Sequence, residues 1–207
     1  MRTVATPVGD ARVAVAPAQR PKATLVLGHG AGGGIEARDL VVLAESLPRS
    51  GVTVVRVEQP WRVAGRRVAA LPGTLDKAWV AVLAALEVSG PLVVGGRSAG
   101  ARVACRTAGE VGAAAALALA FPLHPPGRPE RSRLDELNGA GVPTLVVQGE
   151  RDAFGGPGAF PGGRRPYVVH PVPGADHSFR VPKGHDQAAT LATLAAVARD
   201  WLLDLVG

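Results

Sequence analysis

The sequence predicts an α/β protein: a mostly parallel central sheet of about seven or eight strands, helices on both faces and no separate cap domain. Short apolar runs alternate with longer alanine-rich stretches along the whole chain. The middle runs are apolar without alternation, as expected for strands covered on both faces. A serine flanked by small residues, Gly96-Arg97-Ser98-Ala99-Gly100, sits where one such run meets an alanine-rich stretch.

The elements follow in order. Residues 3–6 and 12–16 read as an edge hairpin turning at Gly9-Asp10. Strands are expected at 23–28, 52–58, 92–96, 114–121, 144–149 and 167–172, each an apolar run bounded by turn residues. Helices are expected at 35–48, 74–88, 99–110 and 186–205. In the last, Leu191, Leu194, Val197, Trp201 and Leu205 recur at helical spacing and give one apolar face. Segment 122–139 is the place for a small lid. At 207 residues, with no internal repeat and no linker, the chain reads as a single domain spanning 1–207.

Composition narrows the function. At 47% apolar residues, a disordered chain is excluded. The longest run without a charge or turn signal, 111–121, is too short to span a bilayer. The first ten residues lack the apolar stretch of a signal peptide, so a cytoplasmic protein with no membrane contact is expected. The single cysteine, Cys105, excludes an internal disulfide and a cysteine zinc site. It reads as a small core residue. No histidine or carboxylate pair has metal-ligand spacing, so no metal is expected. The net charge of +6 comes from 20 arginines and 3 lysines against 17 acids. Those cations are scattered, aromatics are only 4%, and no nucleic-acid motif occurs, so no nucleic-acid partner is expected.

The chemistry centres on Ser98. A serine hydroxyl is a weak nucleophile at neutral pH and needs a base, an acid to orient that base, and donors for the developing oxyanion. On a strained strand-to-helix turn, small residues two before and two after the serine let strand and helix approach while Oγ projects outward. The base candidate is His177, in Pro173-Gly-Ala-Asp-His-Ser-Phe179, between the last strand and the last helix. His29 lies in a glycine loop, His124 in a proline-rich loop, His170 inside a strand and His185 at a helix start. The acid candidate is Asp152, just past the strand 144–149. Glu150 and Asp176 are its rivals: the first belongs to the turn, and the second adjoins the histidine and points elsewhere. The oxyanion donors are expected to be the N–H groups of Ala99 and of Ala31, in the loop Gly28-His-Gly-Ala-Gly-Gly-Gly34, where glycines let backbone approach a substrate. His29 is expected to brace that loop.

The motifs His29-Gly-Ala-Gly-Gly33, Gly96-Arg97-Ser98-Ala99-Gly100, Gln148-Gly-Glu-Arg-Asp-Ala-Phe-Gly155 and Gly174-Ala-Asp-His-Ser-Phe179 together resemble the α/β-hydrolase superfamily along essentially the whole chain. The likeness is to the small, capless branch near dienelactone hydrolases. Within it, the chain is similar to the hydrolase-like family that includes the testis-expressed protein 30 and a subunit of a chromatin acetyltransferase complex. The resemblance implies a Ser98–Asp152–His177 triad and a serine hydrolase of the carboxylesterase kind. Such an enzyme cleaves an ester, thioester or related acyl bond through an acyl-serine, without a cofactor. Dienelactone hydrolases carry a cysteine nucleophile, so their substrate does not carry over. Some relatives are interaction proteins, which makes a non-catalytic scaffold the alternative. A further alternative is dinucleotide binding. Gly28-x-Gly30-x-x-Gly33 follows a strand and precedes a helix, and Glu58 ends the next strand where a ribose-binding acid sits. No Gly-Lys-Ser/Thr follows these glycines, so a P-loop is excluded.

In this fold ligands enter at the carboxyl ends of the strands. The loops there carry Arg62, Arg66, Arg67, Arg128, Arg131, Arg133, Arg151, Arg164 and Arg165, and Arg97 lies in the serine turn itself. The expected partner is a small-molecule acyl substrate, with an anionic one favoured by the cationic mouth. Solvated loop charge is the plainer reading. Trp61 and Phe154 stand on mouth loops as acyl-pocket walls or as core.

Overall fold

The computed structural model describes residues 1–162 and 166–206. Its strands are β1 (Arg2–Val4), β2 (Ala11–Ala16), β3 (Ala23–Gly28), β4 (Val52–Glu58), β5 (Leu92–Arg97), β6 (Ala115–Leu119), β7 (Thr144–Gly149) and β8 (Tyr167–Val172). They form one sheet in the order β1-β2-β4-β3-β5-β6-β7-β8. β1 and β2 run antiparallel to their neighbours and all other pairs are parallel. The helices are α1 (Arg38–Ser46), α2 (Pro60–Val63), α3 (Pro72–Ala84), α4 (Ala99–Thr107), α5 (Leu134–Asn138) and α6 (Gln187–Val206). This is an α/β-hydrolase fold without a separate cap.

Strand alternation builds two layers of core. Leu25, Leu27 and Val93 face α1 and α6, where they pack with Leu43, Leu194 and Leu202. Val26, Val55 and Val94 face the other way, onto Trp79 of α3 and Val103 of α4. Every residue of β3, β6 and β7 is buried, which explains their apolar composition without alternation.

Several expected boundaries move for visible reasons. The first helix starts at Arg38, because residues 34–37 close a turn in which the Ala37 N–H donates to Gly34 O at 3.2 Å. A 3-10 turn, Leu47–Ser50, follows it, with Pro48 in its first turn. α3 begins at Pro72, a residue suited to the first helical turn. α4 ends at Thr107. α6 opens on Asp186, whose Oδ1 accepts from the N–H groups of Ala188 (2.8 Å) and Ala189 (3.0 Å) as an N-cap. β6 stops at Leu119 because Ala120 turns at φ 45. The short helices α2 and α5 were not expected from the sequence.

The segment 122–139 is packed against the body and does not form a free-standing lid. Pro122, Leu123 and Leu137 are buried. Arg102 and Arg106 of α4 reach the Glu136 carboxylate of α5. Among the described residues, no helix is long and apolar enough to cross a membrane. Cys105 is buried, and burial pushes its thiol up to about 12.

Candidate active site

The carboxyl ends of β3, β5, β7 and β8 bring the candidate residues to one edge of the sheet. Ser98 stands alone between β5 and α4 at φ 51, ψ −114. A non-glycine residue in such a conformation costs on the order of 1–3 kcal/mol, so its surroundings must hold it there. The Ser98 N–H donates to Leu119 O at 3.0 Å, and Ser98 O accepts from the Arg102 N–H at 3.2 Å. The flanking glycines are sterically required: a Cβ at Gly96 or Gly100 would strike the carbonyl oxygen of Gly28 in β3.

His177 lies in the loop between β8 and α6. Phe179 anchors that loop in the core with no exposure. Asp176 Oδ1 accepts from the N–H groups of Ser178 (2.7 Å) and Arg180 (2.9 Å), so this carboxylate serves its own turn. Glu150 is likewise spent on the Gly174 N–H, at 2.9 Å. Asp152 follows β7, with a side chain fully shielded from solvent. The turn from β7 passes so close to the histidine loop that a Cβ on Gly149 would lie 2.5 Å from Ala175 O.

These loops set up a continuous relay. The Asp152 carboxylate can only accept, so His177 Nδ1–H donates to Asp152 Oδ2 at 2.8 Å. That tautomer leaves Nε2 free to accept from the Ser98 hydroxyl, at 2.9 Å. Asp152 Oδ2 also accepts from Gln148 Nε2 at 2.9 Å, and Oδ1 accepts from the Phe154 N–H at 2.8 Å. The Phe154 ring lies over the His177 ring, with centroids 4.2 Å apart. Phe154, Arg133, Ala31 and Ala99 join Ser98 and His177 around an open cleft of about 370 Å³. His29 braces the glycine loop: its Nδ1–H donates to Gly30 O at 2.9 Å, and its Nε2 accepts from the Gln59 N–H at 3.1 Å. Burial holds its pKa below the usual histidine value, which keeps the ring neutral for both bonds.

A family model described as "Alpha/beta hydrolase domain" matches residues 21–202. The chain belongs to that family. A comparison with curated proteins finds no match. Among solved structures, a lidless α/β serine hydrolase from Xanthomonas campestris is 23% identical, with a TM-score of 0.73 over 97% of this chain and 93% of that one. A dienelactone hydrolase from Anabaena variabilis is 18% identical, with a TM-score of 0.75 over 98% and 95% of the two chains. Est1E from Butyrivibrio proteoclasticus, solved with ferulic acid bound, is 15% identical, with a TM-score of 0.76 over 100% and 99%. These likenesses show the shared fold.

Arg97 and Trp61 are both buried in this alpha/beta hydrolase domain. Arg97 is not a free charge at the mouth. It is buried at 8% exposure, its Nε donates to Asp39 Oδ2 at 2.9 Å, and its Nη2 donates to His177 O at 2.8 Å. It ties α1 to the histidine loop. Trp61 stands beside the cleft of Ser98 and His177, on a crevice that Ala31 and Ala99 also line. It is 5% exposed on α2, with its ring centroid 5.5 Å from that of His29.

Some of the remaining mouth arginines have partners of their own. Arg62 pairs with Glu36 at 3.8 Å, Arg151 donates to Gly174 O at 3.4 Å, and Arg164 and Arg165 lie outside the described residues. The glycine fingerprint at 28–33 does not open a helix, since α1 starts only at Arg38. Glu58 faces Arg12 at 3.9 Å.

Sequence reasoning missed Gln148 and Asp39. Gln148 is the polar residue of an otherwise apolar buried strand, and that contrast was a readable signal. Asp39 looked like any solvated acid in a first helical turn.

Proposed function

We propose that this alpha/beta hydrolase domain is a serine hydrolase that cleaves an ester, thioester or related acyl bond. The unbroken hydrogen-bond line from Ser98 Oγ through His177 to Asp152 carries the reading. In the proposed reaction Ser98 Oγ attacks the acyl carbon, and its proton passes to His177 Nε2. The Asp152 carboxylate stabilises the resulting imidazolium. The tetrahedral oxyanion is held by the N–H groups of Ala31 and Ala99. Ala99 is the first residue of α4, so its N–H has no partner within the helix and sits at the positive end of its dipole. The leaving group departs with the proton from His177. Water then attacks the acyl-serine by the same steps, releasing the acid. No cofactor enters this scheme.

Arg133 supports an anionic substrate at the same site. It lines the cleft and donates to Pro122 O at 3.0 Å, whereas Arg97 and Arg102 there are committed to Asp39 and Glu136. The motif at 174–179 and the Gly-Arg-Ser-Ala-Gly turn support the narrower kinship with the testis-expressed protein 30 family.

A panel of chromogenic acyl esters tests the proposal. Ser98→Ala should lower kcat on the order of 10⁶-fold, and a fluorophosphonate probe should label Ser98. A folded wild-type protein that neither labels nor hydrolyses would favour the non-catalytic scaffold. For the charge, kcat/KM of an anionic ester should exceed that of its neutral analogue and fall with added salt. Equal values at every ionic strength would refute a role for Arg133.

A further inference from the structure

Ala31 and Ala99 line the triad cleft, and they also line a narrow crevice behind it. The crevice runs between the glycine loop and α3, walled by His29, Trp61, Leu75, Trp79 and Val103. Its open space is about 10 Å³, no more than a single water-sized group needs. Beside it opens a surface pocket of about 370 Å³, bounded by Val8, Gly9 and Asp10 of the edge-hairpin turn, by Arg66, and by Ala70 and Thr74 at the start of α3. Gln59, Trp61 and Leu75 line both spaces. They form the partition between them. Gln59 is fixed there, with its N–H on His29 and its Nε2 donating to Leu75 O at 3.3 Å. Trp61 contributes the bulk of the wall from the four-residue helix α2.

We infer that the crevice is the acyl pocket, and that Trp61 is the wall that limits it to acetyl-sized acyl groups. The inference rests on the serine-hydrolase reading and names its substrate class. An acyl oxygen held between the Ala31 and Ala99 amides has its carbon beside these same residues. The acyl chain therefore starts at the mouth of the crevice, and the leaving group lies toward Phe154 and Arg133. A longer chain meets the Trp61 ring. With that ring removed, the same chain would continue into the surface pocket beside the edge-hairpin turn.

The test uses p-nitrophenyl esters from acetyl to octanoyl with wild type, Trp61→Ala and Trp61→Leu, each checked for Ser98 labelling by a fluorophosphonate and for a cooperative melt. Wild-type kcat/KM should fall at least about tenfold from acetyl to hexanoyl, since the crevice holds so few atoms. In Trp61→Ala the hexanoyl-to-acetyl ratio should rise roughly 10- to 100-fold, because each newly buried methylene contributes about fourfold. Adding Ala70→Phe to Trp61→Ala should fill that pocket and return the ratio toward wild type. Should Trp61→Ala fail to fold, Trp61→Leu keeps an apolar wall and should show a rise of the same sign, about severalfold. Variants that still label yet keep the wild-type ratio overturn the inference and leave the hydrolase reading standing. So does a wild type that takes hexanoyl as well as acetyl. A wild type that neither labels nor turns over any ester overturns both.

Discussion

Gln148 shows how much of the site is set by a residue outside the triad. Its Nε2 donates to Asp152 Oδ2, and contacts Phe121 O at 3.2 Å and Gly155 O at 2.7 Å, all from a fully buried position. It therefore fixes the carboxylate that fixes the imidazole. Gln148→Leu would remove a donor from these three buried oxygens, at a cost of about 1–3 kcal/mol in stability. As a positioning residue it should lower kcat roughly tenfold with little change in KM, and the acid limb of the kcat–pH profile should shift. Steady-state kinetics across pH 5–9, with urea unfolding alongside, checks this; an unchanged profile in a merely destabilised protein would leave Gln148 only structural. Ser98, Asp152 and His177 were legible because each sits at the end of a strand, in a small-residue turn that sequence marks directly. The burial of Arg97 against Asp39 was not. Arg97 meets Asp39 from 58 positions away, and no local pattern says whether an arginine in a loop finds such a partner.

Between elements, a cluster of charges clamps α3, α4 and α5. Arg106 bonds Asp76 of α3 at 2.6 and 2.9 Å and Glu136 of α5 at 2.8 Å, while Arg102 bonds Glu136 at 2.5 and 2.8 Å. Burial pushes the Glu136 carboxyl up, but the two guanidinium groups outweigh it and hold it below the ordinary glutamate range. Its folded pKa thus lies under its unfolded one. The stabilisation is complete above the unfolded pKa and disappears as pH falls through the folded value. Glu136→Gln should cost about 1–2 kcal/mol at pH 7, because several charge-assisted bonds weaken at partly buried positions. The gap between wild type and variant should close in acid. Urea unfolding at pH 7 and pH 3 measures it, and a constant gap would show that the charge is not what matters. The sequence revealed the strands of this region and missed α5. A five-residue helix carries too few turns for an apolar period, and its stability comes from Leu137 in the core and from this clamp.

At the scale of the molecule, the sheet order decides where stability resides. β3 and β5 are central, paired on both sides by parallel neighbours and covered by helices on both faces. The glycine loop, Ser98 and the Asp152 loop hang from β3, β5 and β7. A strained serine turn needs such support, since a softer frame would relax the backbone and lose the alignment. The alternation of apolar runs and helices made this frame readable, because strands buried on both faces leave room for few polar residues. The strand order itself was not readable, since pairing depends on contacts far apart in sequence. β1 is different. It is a three-residue edge strand whose one neighbour in the sheet, among the described residues, is β2, and two of its residues are exposed. Opening free energies in a protein range from near zero at such edges to the global value in the core. Native-state hydrogen exchange should therefore find the amides of β3, β5 and β6 protected up to the global unfolding free energy, and those of β1 exchanging through local opening that leaves the rest folded. Turnover should persist under mild urea that already frees β1, because no triad residue hangs from it. If β1 exchanges only with the core, or activity falls in step with its opening, the edge hairpin belongs to the same cooperative unit as the site.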